Sequence, residues 1–310
     1  MQCRETIEIV EVDRKMKQKN YLQEKFGTWP FDNVENREKQ CDLPVITMVT
    51  DSFQQAEFLE RCILSVLNQN YPALEYIIFD GGSTDGSKEI LQKYSDRLTY
   101  WQSCPDGGQV RAVNTAFAEH GRGEIFGLLD SDDLLTPGAL LAVGRYFRDH
   151  PECDWLMGRG VYFDEKGNFV REDIPDTLDA YILVEDWTHH TVCQPSCFFR
   201  RKLWEQLNGY REDVYRYIND HELLVRAARN GRGAVLNELL SLNLFRKKQI
   251  SQKYRFHMYM EEQLLRFEYG NKDAAAQGIK RVGTRALEFA SIFRFITENP
   301  VYRKWREKSK

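Results

Sequence analysis

Short apolar runs alternate with helical patterns along the first half of this chain, and this alternation limits its possible folds more than any other feature. Residues 45–49, 76–79, 98–101 and 125–129 have the length and composition of buried strands. The segment 57–69 between the first two carries a single apolar stripe at helical spacing. Because strands that alternate with helices form parallel sheets covered on both faces, the sequence predicts an α/β domain.

Polar residues follow three of these strands at the point where each strand ends. The exits read TDSF at 50–53, DGGSTD at 80–85 and LLDSDD at 128–133. Ligands of parallel α/β sheets bind beyond the carboxyl ends of the strands. Three polar exits on neighbouring strands therefore predict one binding rim.

The acidic cluster at the third exit is open to two interpretations. A turn in which Asp133 or Thr136 caps a helix that begins near Pro137 would account for part of it. Asp130 and Asp132 are two residues apart, so their carboxylates can converge, and hard oxygen ligands suit Mg²⁺ or Mn²⁺ bound together with a substrate diphosphate. We expect both interpretations to hold, with Asp130 and Asp132 left for the cation.

The second exit offers Asp80 and Asp85 as acceptors for the N–H groups of a base or the hydroxyls of a ribose. Its glycines permit positive φ and a close approach of the backbone to a ligand. A plain turn followed by a helix that Ser83 or Thr84 caps explains the same residues equally well.

Two acids, Asp220 and Glu222, stand at the start of a helix predicted to end at Gly231. Acids are favoured at a helix N-terminus, so a helix cap explains them; the alternative is a general base that takes a proton from an attacking hydroxyl. His221 lies between them and is expected to face solvent. His190 either lines an acceptor cleft or lies in a surface loop.

The composition describes an ordinary protein that is soluble or peripheral to a membrane. A net charge of −4 argues against a nucleic-acid partner held through phosphates. No apolar run approaches the roughly 18 residues that span a bilayer. The 7 cysteines include no CxxC pair, and zinc at Cys193 and Cys197 is rejected because a second pair is missing. With no recognisable signal peptide, we expect reduced thiols in the cytoplasm.

Three regions are predicted along the 310 residues. Residues 1–42 form a charged, partly helical N-terminal extension whose aromatic cluster at 29–31 packs on the main domain. Residues 43–250 form that main domain, and 251–310 form a helical C-terminal region. The basic end, 302–310, is either a solvated tail or a peripheral contact with the inner face of the membrane. Homo-oligomer formation stays open.

Read together, three blocks resemble the inverting family-2 glycosyltransferases of the GT-A fold. The first is ITMVTDSFQQAEFLERCILSVLNQNYPALEYIIFDGGSTDGSKEILQKY (46–94), and the second is PDGGQVRAVNTAFAEHGRGEIFGLLDSDDLLTPGAL (105–140). The third is QPSCFFRRKLWEQLNGYREDVYRYINDHELLVRAARNGR (194–232). The likeness extends over about residues 44–250, in order and at the usual spacing.

This resemblance implies a Rossmann-like, mostly parallel sheet flanked by helices, with a helical C-terminal extension. It also implies a UDP-, GDP- or dTDP-sugar donor, a glycan or lipid-linked acceptor, and no nucleic acid as partner. Asp220 would be the catalytic base, and Asp132 would be the principal ligand of Mn²⁺ or Mg²⁺ with Asp130 near the ribose. An acceptor hydroxyl would displace the diphosphate in line, so that an α-linked donor gives a β-linked product.

The remaining residues that the resemblance and the motifs assign fall into two groups. The donor-binding group is Asp51, Phe53, Asp80, Asp85, Gln109, Asp130, Arg246 and Lys248. The acceptor-side group is Trp204, His190 and Glu222, with Gln109 also placed at the border of the cleft.

Three departures from the family pattern concern the donor. Relatives often have Asp where this chain has Gly81, so recognition of the base differs here. Phe53 replaces a stacking tyrosine. A late histidine that touches the diphosphate in many relatives is absent, and Arg246 or Lys248 is expected to supply the positive charge instead.

Two alternatives belong to other functional classes. A nucleotidyltransferase would show a glycine-rich loop with a lysine near the first strand, and TDSFQQ at 50–55 offers none. A non-catalytic sugar-nucleotide sensor would need the rim but not Asp220.

Overall fold

The computed structural model describes residues 20–34, 42–185, 193–246, 254–272, 299–301 and 303. In the first half of the chain the elements follow the predicted alternation. They are α1 (Tyr21–Phe26), β1 (Ile46–Ser52), α2 (Ala56–Leu67), β2 (Leu74–Asp80), α3 (Ser87–Tyr94), β3 (Tyr100–Ser103), α4 (Gln109–Thr115) with a π-helical turn (Ala116–His120), and β4 (Ile125–Leu128).

The second half mixes strands and helices. Its elements are β5 (Leu134–Leu135), α5 (Ala139–Asp149), β6 (Trp155–Asp164), β7 (Phe169–Asp173), α6 (Ala180–Glu185), a 3₁₀ turn (Gln194–Ser196), β8 (Cys197–Arg200), α7 (Arg201–Leu207), α8 (Asn219–Asn230), β9 (Gly233–Phe245) and α9 (Arg255–Tyr269).

A single nine-stranded sheet runs through the domain in the order β3-β2-β1-β4-β8-β6-β9-β5, with β7 paired to β6. The strands β3, β2, β1 and β4 are all parallel, which places their carboxyl ends on one edge. Beyond β4 the sheet is mixed, because β8 runs antiparallel to both β4 and β6 whereas β9 is parallel to β6. The parallel half confirms the Rossmann-like prediction.

Helices cover both faces of the parallel half because neighbouring residues of its strands point to opposite sides. On one face, Ile63 of α2 and Val143 of α5 pack with Met48 of β1. On the other face, Val113 of α4 and Leu224 of α8 belong to a second core. The strands β1, β2 and β4 are thus largely buried on both sides, as their near-continuous apolar sequences predict, whereas the edge strand β3 is half-buried.

The aromatic cluster of the N-terminal extension packs on the main domain, as expected. The indole Nε1 of Trp29 donates a hydrogen bond to the carbonyl oxygen of Leu135 over 2.8 Å. The amide of Asn68 donates to the carbonyl oxygen of the buried Pro30, also over 2.8 Å. These contacts tie the segment 28–34 to α2 and β5.

Two features of the second half differ from the sequence predictions. The long strand β9 was not predicted, because the leucines of VLNELLSLNL at 235–244 also suit a helix. The helix α5 begins at Ala139 after Gly138, which has φ +83°, and no side chain caps it. The expected cap by Asp133 or Thr136 is therefore wrong.

The C-terminal region is helical over α9, as predicted, and the aromatic run at 286–296 lies outside the described residues. Among the helices that the structure describes, none combines the length and the apolar composition that crossing a bilayer requires. The region boundaries at residues 42 and 250 stay predictions.

Candidate active site

Asp51 and Asp130 meet at the carboxyl edge of the parallel strands. Asp51 is the sixth residue of β1, and Asp130 follows the neighbouring β4 by two residues. Their carboxyl groups are close enough for each to shift the pKa of the other. The amide Nε2 of Gln109, at the start of α4, donates to Asp130 Oδ1 over 3.1 Å and lies 3.4 Å from Asp51 Oδ1. The structure therefore brings together three residues that the sequence assigned to one donor site.

The electrostatics of this pair follow from burial and mutual repulsion. Burial raises the pKa of Asp51 to about 6; hydrogen bonds from Gln109 and Asp130 lower it, and the charge of Asp132 raises it. Burial, followed by the charges of Asp51, Asp133 and Asp132, raises the pKa of Asp130 well above its ordinary value. The rim thus concentrates negative charge that a proton or a cation must relieve.

Asp132 forms an ion pair with Arg246 at the end of β9. The guanidinium carbon of Arg246 also lies 4.6 Å from the ring centroid of Phe58, and Nη2 lies 3.5 Å from Oε1 of Gln55. Both partners are mostly buried, with about a fifth of each side chain exposed. Arg246 therefore stands at the rim, where the sequence predicted a positive charge.

Asp133 and Thr136 hold the β9 strand instead of capping a helix. The carboxylate of Asp133 accepts a hydrogen bond from the backbone N–H of Leu244 over 2.7 Å. The hydroxyl of Thr136 donates to the carbonyl oxygen of Leu239. Burial and the charge of Asp132 raise the pKa of Asp133 well above its ordinary value, although the hydrogen bond from Leu244 opposes this. The last acid of the cluster is thus structural, as the sequence suggested, but with a different partner.

Phe53 stands exposed just beyond β1, with 61% of its surface accessible. A Cβ atom on Gly81 would lie 3.2 Å from Cδ2 of Phe53 and 3.5 Å from each carboxylate oxygen of Asp106. Oδ1 of Asp106 also accepts the backbone N–H of Gly108 over 2.9 Å, which fixes the side chain. The carboxylate of Asp106 therefore lies beside the position that a side chain at residue 81 would take. Asp106 was not among the predicted site residues.

The carboxylate of Asp80 is fully buried and shapes the loop after β2. It accepts hydrogen bonds from the backbone N–H of Ser83 (2.9 Å), the hydroxyl of Ser83 (2.5 Å) and the hydroxyl of Ser103 (2.6 Å). Both of its oxygens are thus occupied within the protein. Asp80 therefore orders this loop, and its contact with a donor stays a prediction.

Asp85 also serves the backbone. Its carboxylate accepts the N–H of Ala56 over 2.9 Å and the N–H of Ser87 over 3.1 Å, and so joins the first turns of α2 and α3. Partial burial raises the pKa of Asp85, but these hydrogen bonds outweigh it and the net shift is downward. The helix cap expected from Ser83 or Thr84 is supplied by Asp85, and the role of Asp85 in donor binding stays a prediction.

Asp220 lies in the first turn of α8. Its Oδ1 accepts the backbone N–H of His221 over 2.8 Å. Burial raises the pKa of Asp220, although hydrogen bonds from the backbone N–H groups of His221 and of Asp220 itself oppose this. The half-buried carboxylate of Asp220, with its raised pKa, takes up a proton more readily than a carboxylate with the ordinary pKa, which is the property of a general base.

Tyr210 connects the two halves of the site. After burial, the charges of Asp220, Asp130 and Asp51 raise its pKa well above the ordinary value, so its hydroxyl lies within electrostatic range of all three acids. The side chain of Asn114 fixes it by accepting the N–H of Tyr210 over 2.9 Å and donating to its carbonyl oxygen over 2.8 Å. The sequence analysis missed Tyr210 and Asn114, since neither belongs to a charged motif.

Glu222 and His221 face the interior and not the acceptor side or solvent. Glu222 is fully buried and forms two hydrogen bonds of 2.7 Å with the guanidinium of Arg226. Nε2 of His221 lies 2.7 Å from the carbonyl oxygen of Leu183. Burial, with the charge of Arg266 acting in the same direction, lowers the pKa of His221 to about 4, although the Leu183 carbonyl opposes this. Both predictions are thus corrected.

Trp204 belongs to the core behind the site. Its ring centroid lies 4.7 Å from that of Phe117 and 5.3 Å from that of Tyr210. Together with Asp220 it lines a small, partly open cavity of about 10 Å³, which is near the minimum for a single water. The predicted acceptor-side placement of Trp204 is corrected to packing beneath Asp220. His190 and Lys248 lie outside the described residues.

The acids of the rim fit a divalent cation that arrives with a substrate. Among the described residues, no cluster of three or more His, Cys, Asp or Glu side chains is arranged to hold a metal by itself. Mg²⁺ and Mn²⁺, however, commonly use one or two carboxylates and complete their shells with water and substrate phosphate. The chemistry of Asp130 and Asp132 matches that limited requirement.

The fold and the rim define a sheet-edge site of the kind that binds nucleotide ligands. The family model described as "Glycosyl transferase family 2" matches residues 47–207. This match covers more than half of the chain, and the chain belongs to that family.

Curated relatives are similar to this chain over about three fifths of its length. An uncharacterized glycosyltransferase of Mycobacterium tuberculosis is 29% identical over 187 residues, which are 60% of this chain and 69% of that protein. The chondroitin synthase of Pasteurella multocida is 26% identical over 203 residues, which are 64% of this chain and only 20% of the synthase.

Two solved structures share the fold at low sequence identity. S. aureus TarS in complex with UDP-GlcNAc has a TM-score of 0.57 at 17% identity, covering 79% of this chain and 73% of that one. The mannosyltransferase PcManGT of Pyrobaculum calidifontis, in complex with GDP-Man and Mn²⁺, has a TM-score of 0.56 at 16% identity, covering 97% and 90%. These likenesses confirm the GT-A type of fold.

Proposed function

We propose that this protein transfers a sugar from a nucleotide-diphospho-sugar to an acceptor hydroxyl with inversion at the anomeric carbon. The observation that supports this best is the division of the acids into two groups. Asp51, Asp130 and Asp132 form one cluster at the carboxyl edge of the sheet, and Asp220 stands apart at the start of α8. One group suits a diphosphate with its cation, and the other suits a base.

Asp220 acts as the base in this proposal. Its raised pKa allows the carboxylate to take the proton of an acceptor hydroxyl as that oxygen attacks the anomeric carbon. A new carbon–oxygen bond forms while the bond from the anomeric carbon to the diphosphate breaks, and its electron pair leaves with the diphosphate. Attack opposite the departing group inverts the carbon.

The donor end is held by residues of several elements. Phe53 offers an exposed ring on which a base can stack, and Asp106 offers a carboxylate that can accept a base N–H. Asp132, with Asp130, would hold Mn²⁺ or Mg²⁺. The cation, when bound, neutralises the charge that develops on the departing diphosphate. Arg246 adds a fixed positive charge at the same edge.

Synthesis of a cell-surface polysaccharide or glycoconjugate is the proposed setting, from the cytoplasmic side and in contact with a glycan or lipid-linked acceptor. The named synthase among the relatives supports a polysaccharide product. A sugar-nucleotide sensor is the second candidate, and it would use the same rim without any need for Asp220.

The deciding variant is Asp220→Asn, which keeps the size of the side chain and removes its basicity. Transfer should fall by a factor of about 10² to 10⁴, the usual contribution of a general base. Thermal shifts produced by UDP-, GDP- and dTDP-sugars with Mn²⁺ should stay as in the wild type, because a bound donor stabilises the fold by mass action. Unchanged turnover in this variant would exclude Asp220 as the base.

The cation site is tested by calorimetry of nucleotide binding with and without Mn²⁺. Asp132→Ala should remove any dependence of the nucleotide affinity on Mn²⁺. Asp213→Ala, which changes an exposed acid in the loop before α8, is the matched control. If Asp132→Ala keeps the Mn²⁺ dependence, the assignment of Asp132 is wrong.

A further inference from the structure

The C-terminal helix α9 contains a buried acid that the donor site and the base do not use. Glu261 has no exposed surface. Its Oε1 accepts the backbone N–H of Arg216 over 2.9 Å, and its Oε2 accepts the N–H groups of Tyr217 (2.7 Å) and Ile218 (3.0 Å). Among the described residues, no lysine or arginine forms an ion pair with Glu261. Its carboxylate is thus committed to the backbone of one short segment.

That segment, 216–218, leads directly into the helix that presents Asp220. Ile218 is the N-cap residue of α8, and its side chain makes no capping hydrogen bond. The first helical bond of α8 runs from the N–H of Glu222 to the carbonyl oxygen of Ile218 over 2.9 Å. The N–H groups just before the helix are therefore satisfied from outside, by a residue more than 40 positions later in the chain.

The position of the Asp220 carboxylate depends on this segment. One of its oxygens accepts the N–H of His221, so the side chain is fixed relative to the first turn of α8. The first turn, in turn, can shift only if the segment before it shifts. Three hydrogen bonds to Glu261 resist such a shift, because breaking them would leave a buried carboxyl group and buried backbone N–H groups unsatisfied.

Neighbouring contacts fasten the same loop further from Asp220. Glu268, also on α9, accepts from Arg211 over 2.8 Å and from the hydroxyl of Tyr215 over 2.9 Å. The amide of Asn299 donates to the carbonyl oxygen of Val214 over 2.8 Å. The C-terminal region thus holds the whole loop, and Glu261 holds its last three residues.

We propose that Glu261 is a positioning residue for the catalytic base. Through Glu261, the C-terminal helix α9 fixes the orientation of the Asp220 carboxylate toward the acceptor. This proposal rests on the proposed role of Asp220. It also gives α9, which lies beyond the family-matched residues 47–207, a function in catalysis and not only in stability.

The experiment compares Glu261→Gln with Glu268→Gln, a variant of the same helix that removes an acid bonded to the more distant part of the loop. In Glu261→Gln an NH₂ group replaces one oxygen and faces a backbone N–H, so at least one of the three hydrogen bonds is lost. The measured rate is that of nucleoside diphosphate release. The donor is the sugar nucleotide that raises the thermal midpoint of the protein most. The acceptor is a p-nitrophenyl glycoside, or water where no glycoside reacts.

We expect Glu261→Gln to lower kcat by about 10- to 100-fold, as displacements of about 1 Å do, with donor KM and nucleotide affinity within about twofold of the wild type. Glu268→Gln should lower the thermal midpoint by a similar amount and change kcat by less than about threefold. If Glu261→Gln does not fold, Glu261→Asp replaces it in the experiment. This variant keeps a carboxyl group but withdraws it by one methylene, so it should lower kcat in the same way.

A double-variant test separates positioning from a general structural role. If Glu261 acts through Asp220, the Glu261→Gln change should lower kcat little or not at all in an Asp220→Asn background. An equal fall of kcat in both backgrounds, or a parallel loss of nucleotide affinity, would overturn the proposal. The proposal for Glu261 would also be overturned if Glu261→Gln had the wild-type kcat while Asp220→Asn was strongly impaired. A wild-type kcat in Asp220→Asn would instead reject Asp220 as the base.

Discussion

Replacement of Glu222 distinguishes a structural acid from an acceptor-binding one, and the structure sets the size of the expected effect. Its side chain has no exposed surface, and Arg226, four residues later, is 8% exposed. Arg226 also donates to the carbonyl oxygens of Leu207 (2.6 Å) and Gly209 (2.8 Å). Arg211 approaches Glu222 to 3.3 Å from the other side. The carboxylate is therefore the counter-charge for two arginines inside the protein.

Glu222→Ala should lower the free energy of unfolding by about 3 to 5 kcal/mol, the range found when one partner of a buried ion pair is removed. The cost comes from the charge of Arg226, which stays buried without its carboxylate. Glu222→Gln should cost less, because the amide oxygen still accepts one of the two hydrogen bonds of 2.7 Å. Urea unfolding followed by fluorescence gives the midpoints and the slopes.

The control is Glu205→Ala, which removes another pair with i,i+4 spacing. Glu205 lies 3.7 Å from Arg201, and 66% and 40% of their side chains are exposed. An exposed pair of this kind contributes at most about 0.5 kcal/mol. A wild-type unfolding midpoint in Glu222→Ala, combined with a raised acceptor KM, would refute this reasoning and return Glu222 to the acceptor side.

Three further predictions concern other parts of the site. The pKa of His221 is lowered to about 4 in the folded protein, so as pH falls through 6.5 the unfolded state takes up a proton first and stability is lost between pH 6.5 and 4. Between pH 7 and 5 the free energy of unfolding of the wild type should fall by about 2 kcal/mol more than that of His221→Gln, measured by urea unfolding, and equal losses would contradict the lowered pKa. Gly209 has φ +59°, and an added Cβ would lie 2.5 Å from Oδ1 of Asn114; Gly209→Ala should therefore cost about 2 kcal/mol or more by the same assay, and a cost below about 0.5 kcal/mol would show that the loop adjusts. Asp106→Ala should weaken nucleotide binding by about tenfold in calorimetry, since a hydrogen bond from a base N–H to a carboxylate contributes about 1.5 kcal/mol, and an unchanged affinity would remove Asp106 from the base site.

Much of the donor edge could be predicted from the sequence because parallel strands end on one side of a sheet. Asp51 and Asp130 are far apart in the chain, yet the alternating pattern places them at the same edge. The family resemblance added Gln109, and in the structure its amide lies within hydrogen-bonding distance of both carboxylates. Asp106 was missed because the sequence does not show that its carboxylate lies beside the position that a side chain at residue 81 would take. The β9 strand was missed because its leucines have no strict alternation, and its pairing with β6 decides its conformation.

The sequence by itself determined the α/β alternation, the family pattern and the acidic strand end, since each of these depends on local spacing. Only the tertiary structure decided which of the acids face the site. Asp220 and Glu222 are two residues apart on one helix, so their side chains point about 200° apart around its axis, and the sequence does not say which direction is inward. The ion pairs with Arg226 and Arg211 hold Glu222 in the interior, and Asp220 is left beside the site. The buried Glu261, distant in sequence and close in space, could be linked to that choice only through the folded chain.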